Sequence, residues 1–322
     1  MPGKEVIRAK SPFNWLSLGL VSVAITSFLG AISSGPQHGW DSVTVMCWFI
    51  LSIVSMLGFI ELESRTSMPL LNVKLFRYRS FVVVAIVGFV FGTGMFGTFY
   101  LLPVFVRTVQ GFTGTKAGIM LLMIDLIAFA VFPIAGWLSG RVSPVYTVGG
   151  GMLLFAISSL GLAKADVHTA FWFLVVWAMV GRIGLGLAIP AITATGMRDL
   201  SKELTVYGAG TMTFIRMLGG AMGVSCLAVL LDLRANKYLL SFQTTQVKID
   251  GETGVVLREI GNRTAIDGVE SVSQLPVAYA HLNEMLVAQA YIEAFQDGYL
   301  ILSVLFVLAA ICALTLHTRP AV

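Results

Sequence analysis

Charge is scarce in this sequence. Only 12% of its 322 residues are Asp, Glu, Lys or Arg, while 57% are hydrophobic, and the mean hydropathy is +0.86. Soluble domains carry about 25% charged residues, so this composition excludes a water-soluble globular chain and makes lipid the solvent. Cysteine is sparser still, at three residues. Cys47, Cys226 and Cys312 each sit inside an apolar run, which excludes a disulfide framework or a CxxC metal pair and leaves them as small packing residues. The groups that enzymes use are missing as well. His38, His168, His281 and His317 all lie in loops or at the ends of apolar runs, and there is no HExxH pair and no nucleotide-binding glycine loop. Gly136-Trp137-Leu138-Ser139-Gly140 holds a serine between glycines, but not at the spacing of an intramembrane protease. No enzyme, cofactor or metal site is expected. The isoelectric point of about 9.0 does not imply nucleic acid, because the basic residues are scattered over loops and form no stripe.

What the chain does have is long apolar runs. A helical span needs about 20 mostly apolar residues. The runs Phe13–Ser33, Val43–Glu61, Phe81–Val106, Ala117–Leu138, Val145–Ala163, Ala170–Thr195, Gly208–Leu231 and Gly298–Leu316 meet that need. Only helices and closed barrels satisfy the backbone in lipid, and barrel strands are about 10 residues long and alternating. The expectation is an all-α integral membrane protein of about eight transmembrane helices. The first run follows Lys4, Arg8 and Lys10 as a signal peptide would. Its length exceeds an h-region of about 7–15 residues, so it reads as a retained span.

Basic residues orient the spans. With the N-terminus in the cytoplasm, the inner segments hold Lys4, Arg8, Lys10, Arg65, Lys74, Arg77, Arg79, Arg141, Arg198, Lys202 and Arg319. The short outer loops hold only Arg107, Lys116 and Lys164. The positive-inside bias therefore places both termini in the cytoplasm. The stretch from Asp232 to Asp297 reads as an outer loop, polar and turn-rich in its middle. From Gln274 through Phe295 it becomes an amphipathic helix leading into the last span. Its Asn262-Arg263-Thr264 sequon matters only in a secretory pathway.

Two arginines stand inside apolar runs, Arg182 and Arg216. A bare guanidinium in hydrocarbon is costly enough that an intramembrane charge is a functional-site hypothesis by default. Arg182 lies roughly 18 Å from the outer face, Arg216 at a similar depth from the inner face, and Asp125 roughly 12 Å from the outer face. These depths let Asp125 meet one arginine. Two readings stand side by side: a structural ion pair locking two helices, and polar groups facing a water-filled cavity on the path of a substrate or proton. One acid against two bases leaves positive charge to be met by a carboxylate outside this chain or by an anionic substrate. Gly181, Gly184 and Gly186 surround Arg182, and Gly219, Gly220 and Gly223 follow Arg216. Together with Gly88-x-x-x-Gly92 and Gly149-Gly150-Gly151, they are expected to permit close helix crossings. Phe89, Phe91, Phe96, Phe99 and Tyr100 make one span aromatic, with Phe96 and Tyr100 as candidates to line a site.

Several stretches resemble one family. Gly136-Trp137-Leu138-Ser139-Gly140-Arg141 is similar to the loop motif of the major facilitator superfamily, which reads Gly-x-Leu-(Ala/Ser)-Asp-Arg. Gly140 stands where the family has its acid, which removes the carboxylate of that charge relay; Arg141 matches. Phe13-Asn14-Trp15, then Glu63 followed by Pro69-Leu70-Leu71, Leu75-Phe76-Arg77 and Phe81, resemble the fourteen-helix drug:proton antiporter branch. So do Leu101-Leu102-Pro103, Gln110-Gly111, Ala117-Gly118, the run Phe214 to Gly223, and Ala294-Phe295-x-Asp297-Gly298.

The resemblance implies that the chain corresponds to helices seven to fourteen of that branch. Residues 1–79 would hold two linker spans and a cytoplasmic connection, and 80–233 the first five helices of the C-terminal six-helix half. Residues 234–297 would form the extracytoplasmic loop, and 298–322 the last span and tail. It implies proton-coupled efflux of drugs or other small amphipathic compounds across a bacterial inner membrane. The substrate site would lie at the midplane against an N-terminal half outside this sequence, and a periplasmic adaptor would be a further partner, as in some relatives. By position Arg182 matches the counterpart of a basic motif on a cavity-lining helix, and Arg216 a packing or gating position. Two alternatives remain open: a non-transporting half-transporter remnant or a subunit that needs a separate N-terminal half, and metabolite transport on the same fold.

Overall fold

The computed structural model describes residues 14–66, 69–139, 141–248 and 274–315. Gly140, the basic N-terminal residues, the Asn262 sequon and Arg319 lie outside the described residues. All regular structure among the described residues is helical: α1 (Trp15–His38), α2 (Val43–Arg65), a short 3-10 turn (Val73–Arg77), α3 (Arg79–Thr108), α4 (Gly114–Ser139), α5 (Pro144–Leu162), α6 (Phe171–Arg198), α7 (Lys202–Lys248) and α8 (Gln274–Leu314). Eight of them are long and apolar enough to cross a membrane.

Local chemistry sets the helix ends. The Asn14 side chain accepts from Ser17 N at 3.2 Å and Ser42 Oγ accepts from Thr44 N at 3.3 Å, capping α1 and α2. Pro144 opens α5, where a missing N–H costs nothing. Gly39, at φ +82°, ends α1 in a backbone shape that other residues rarely adopt.

The helices run alternately between two ends of a bundle. One end, termed near, carries Glu63, Arg79, Arg141 and Arg198. The far end carries residues 39–42, 109–113 and 163–170. Helices α3 and α6 lie at the centre: α3 packs on α7, α8, α6 and α4, and α6 packs on α5, α4 and α7. The α1–α2 pair attaches to the rest through α7.

Glycine makes the closest crossings. At the α5–α6 crossing, a Cβ on Gly151 would stand 2.5 Å from the Gly184 carbonyl oxygen, and one on Gly184 would overlap the Gly151 carbonyl in return. At the α3–α7 crossing, a Cβ on Gly92 would overlap the Arg216 carbonyl, one on Gly219 the Phe89 carbonyl, and one on Gly220 the Phe96 ring. Thr93 Oγ1 donates across this seam to the Gly219 carbonyl at 2.9 Å. Gly223 packs under Thr93, and Gly186 packs against Val131 of α4. In lipid, where apolar tails cancel the hydrophobic gain, such backbone approach is what holds helices together.

Two helices exceed the bounds that hydropathy suggests. Helix α7 continues past Leu231 to Lys248, and α8 begins at Gln274 and runs unbroken into the last span. Hydropathy marks where lipid ends, whereas a helix ends where the backbone is broken. No glycine or proline interrupts residues 224–248, and Pro276 lies in the first turn of α8, where it is tolerated. The stretch expected as a loop from residue 234 is thus helical through Lys248, and the helix expected from Gln274 runs without a break into the last span.

Polar side chains fasten the far end. Gln110 Nε2 donates to the carbonyls of Asp166 at 3.2 Å and Thr169 at 2.9 Å, and Gln296 Nε2 donates to Ala165 O at 3.3 Å. Asp297 accepts from Tyr238 OH at 3.0 Å and pairs with Arg234 at 3.3 Å, tying α7 to α8. At the near end Glu63, only 3% exposed, accepts from Leu71 N at 3.0 Å and pins the turn after α2. Glu63→Ala strands that N–H and should cost about 1–2 kcal/mol. Thermal unfolding in detergent measures the loss, and a variant as stable as wild type would show that the bond contributes nothing.

Candidate functional site: an ion pair where three helices meet

Asp125 and Arg182 lie the same number of residues beyond the far-end starts of α4 at Gly114 and α6 at Phe171. Each is therefore roughly 16 Å down its helix, and the two helices pack together. Arg182 Nε comes within 2.8 Å of Asp125 Oδ1. The contact is ionic rather than a well-directed hydrogen bond, because Nε has no acceptor in line with its N–H. From α3 the Phe99 ring faces the guanidinium, 3.8 Å from its carbon to the ring centroid. Arg182 therefore has a carboxylate on one side and an aromatic face on another, which are the two partners that make a guanidinium tolerable away from water.

The pair is lopsided in access. The Arg182 side chain is 8% exposed, whereas that of Asp125 is 38% exposed. Asp125 sits beside a stripe of open apolar residues on α4, Leu122, Leu126 and Phe129. An anionic group that is reachable from outside the bundle thus holds a cation that is not. Protonating the carboxylate would remove the charge that stabilises Arg182.

The other sequence candidates divide. Arg216 does not join this cluster. It lines a narrow cleft among α3, α6 and α7, and it makes no ion pair or hydrogen bond among the described residues. Phe96 belongs to the α3–α7 seam, where its ring packs on Gly220. Tyr100 lies within electrostatic reach of Asp232 and Tyr291, towards the far end. Of the loop-motif residues, Arg141 stacks over the Trp137 ring at the end of α4, 4.1 Å from its centroid. Gly136 meets no side chain that would crowd a Cβ. Gly184 meets backbone and Gly181 and Gly186 meet the Ser158 and Val131 side chains, while Gly219, Gly220 and Gly223 all serve the α3–α7 seam. Phe99 is the residue that sequence reasoning passed over. It lies one turn from Met95 in a run of aromatics, and only the three-dimensional crossing of α3 with α6 distinguishes it from Phe96.

Eight apolar helices with a charged cluster held inside them define a multi-pass integral membrane protein. The sequence signature of the Major Facilitator Superfamily matches residues 15–224, and the chain belongs to that family, one of transporters rather than enzymes. It is 28% identical over 233 residues to the multidrug transporter protein MdtP of Bacillus subtilis, covering 71% of this chain and 43% of the relative. It is 25% identical over 240 residues to the colistin resistance protein EmrB of Acinetobacter baumannii, covering 73% and 45%. It is 28% identical over 216 residues to a tetracycline resistance determinant of Streptomyces rimosus, covering 66% and 62%. The chain spans less than half the length of the first two.

Proposed function

We propose that this chain is the C-terminal part of a proton-coupled efflux transporter for drugs or other small amphipathic compounds, working by alternating access. Helices α1 and α2 take the role of the two linker spans of a fourteen-helix transporter, and α3 to α8 that of its second six-helix half. The near end, rich in arginine, faces the cytoplasm. The observation that carries the reading is the Arg182–Asp125 pair at mid-depth, with its carboxylate accessible from the open side of α4. In such a machine, protonation of Asp125 would release Arg182 in one half of the cycle, and deprotonation would recapture it in the other. The names of the relatives, which speak of multidrug, colistin and tetracycline resistance, support drugs as the substrate class.

Arg182→Ala in the full-length protein should abolish drug efflux driven by a pH gradient in inverted membrane vesicles, with the protein still present in the membrane. Efflux unchanged from wild type would end this role for the pair.

A second reading is a half that works only with a separately encoded partner; the chain spans 43% and 45% of two relatives, a share that fits both readings. Mass spectrometry of the native polypeptide decides between the two. Peptides encoded upstream of Met1 would establish a single long transporter, and a native chain of 34.7 kDa would direct the search to a partner half.

A further inference from the structure

The two intramembrane arginines are not equivalent. Arg182 finds its counter-charge within the chain. Arg216 does not: no carboxylate pairs with it among the described residues, and none lines the cleft into which it faces. That cleft is bounded by Gly88 and Phe91 of α3, Thr193 of α6, and Met212 and Thr213 of α7. Thr193 commits its hydroxyl proton to the Ile189 carbonyl at 3.0 Å. Thr213, three residues before Arg216 and so on the same side of α7, donates to no group among the described residues. Gly88 leaves the α3 wall without a side chain, and a Cβ there would come within 3.2 Å of the Met212 methyl. The cleft therefore presents a cation and a free hydroxyl donor, side by side, against an otherwise apolar surface.

A half-buried guanidinium without a partner stands unfavourably at this depth, eight residues beyond Gly208 and so roughly 12 Å into the span. Its stability improves when an anion arrives. We propose that Arg216 and Thr213 form a recognition site for the carboxylate of an amphipathic anion, whose apolar body lies outside the cleft along the exposed side of α7 beside Met217. The site rests on the efflux reading only for its physiological purpose. It adds that the transporter accepts anionic amphiphiles and not only cationic or neutral ones. Arg216 supplies two parallel N–H donors to the carboxylate and Thr213 a third from its hydroxyl. The open geometry towards the exposed side of α7, where Thr213 and Met217 stand, provides entry. The narrowness of the cleft limits it to the head of the ligand.

The test is a binding measurement on the purified full-length protein in a neutral detergent. The probes are dansylaminoundecanoic acid and its primary amide, which share a tail and a fluorophore and differ in charge. A charge-assisted pair contributes about tenfold or more in affinity. The acid should therefore bind wild type about tenfold more tightly than the amide. Arg216→Gln should bring that ratio close to one while leaving amide binding in place, Arg216→Lys should keep most of it, and Thr213→Val should lower it by about threefold. Arg182→Gln should leave it unchanged, which separates this site from the efflux reading: loss of efflux in Arg182 variants and loss of acid preference in Arg216 variants are independent results. Equal binding of acid and amide to wild type would overturn the proposal, and would be the outcome if an acidic side chain from elsewhere in the full-length protein already pairs with Arg216. An acid preference that survives Arg216→Gln would overturn it equally. If Arg216→Gln does not fold, the wild-type ratio and the Thr213→Val ratio decide.

Discussion

Valine at Gly151 is expected to remove most of the folded protein from the membrane, whereas valine at the adjacent Gly150 is expected to leave its amount and stability unchanged. The two glycines stand next to each other in α5 and look alike in sequence. A side chain on Gly151 meets the Gly184 carbonyl oxygen at 2.5 Å and the Ala188 methyl at 3.1 Å, whereas one on Gly150 meets nothing within 4 Å. The obstacle at Gly151 is backbone, so no rotamer change can relieve it and α5 must move away from α6. Overpacking typically costs about 1–3 kcal/mol, and separating two helices whose contact is their backbones places this variant at the upper end. Membrane proteins gain little from apolar burial between helices, so nothing nearby offsets the loss. Fluorescence-detected size-exclusion of the two variants, expressed side by side, checks the contrast. Equal recovery of both would mean that the α5–α6 crossing yields easily.

Removing Asp125 alone should destabilise the protein more than removing Asp125 and Arg182 together. In Asp125→Ala the buried guanidinium of Arg182 keeps its charge and its position over Phe99 but loses its carboxylate. Breaking a fully buried pair costs about 3–5 kcal/mol; because the Asp125 side chain is 38% exposed, the expected loss is discounted to about 2 kcal/mol. The double substitution Asp125→Leu with Arg182→Leu replaces the pair by apolar groups of similar bulk. Such exchanges are often neutral or stabilising, so thermal stability should return to within about 1 kcal/mol of wild type. Efflux should not return. That separation of stability from activity distinguishes a pair that works in transport from one that only locks helices. A double variant that is both stable and active would assign the pair a structural role alone.

Much of the architecture was legible from hydropathy, because a helix in lipid must be long, apolar and self-satisfied in its hydrogen bonds. The number of spans and their alternation follow from that constraint. The helix ends were less legible where no lipid boundary coincides with a backbone break. Arg234 and Lys237 mark the edge of the apolar region, yet α7 continues through them to Lys248, whereas the α8 start at Gln274 was legible from its change in pattern. At the site, counting along the apolar runs put Arg182 roughly 18 Å and Asp125 roughly 12 Å from the outer face; their equal depth emerges only with α4 starting at Gly114 and α6 at Phe171. The choice of Arg182 over Arg216 as partner was not legible, because it depends on which helix lies beside α4. The glycines show the same limit. The triplet Gly149-Gly150-Gly151 announces close contact, but only the rotation of α5 in the bundle decides that Gly151 provides it.

The grip of α3 on α7 lies off the middle of a very long rod. Around Gly219 the two backbones meet, with Thr93 bonded across. From there α7 extends roughly 25 Å to Lys202 in one direction and roughly 44 Å to Lys248 in the other. Such a rod is a lever with unequal arms. A tilt of about ten degrees about that fulcrum displaces the Lys202 end by about 4 Å and the Lys248 tip by about 8 Å. Small changes in angle at the near end are thereby amplified at the far end. Because Tyr238 and Arg234 couple the long arm to Asp297, α8 is carried along with it.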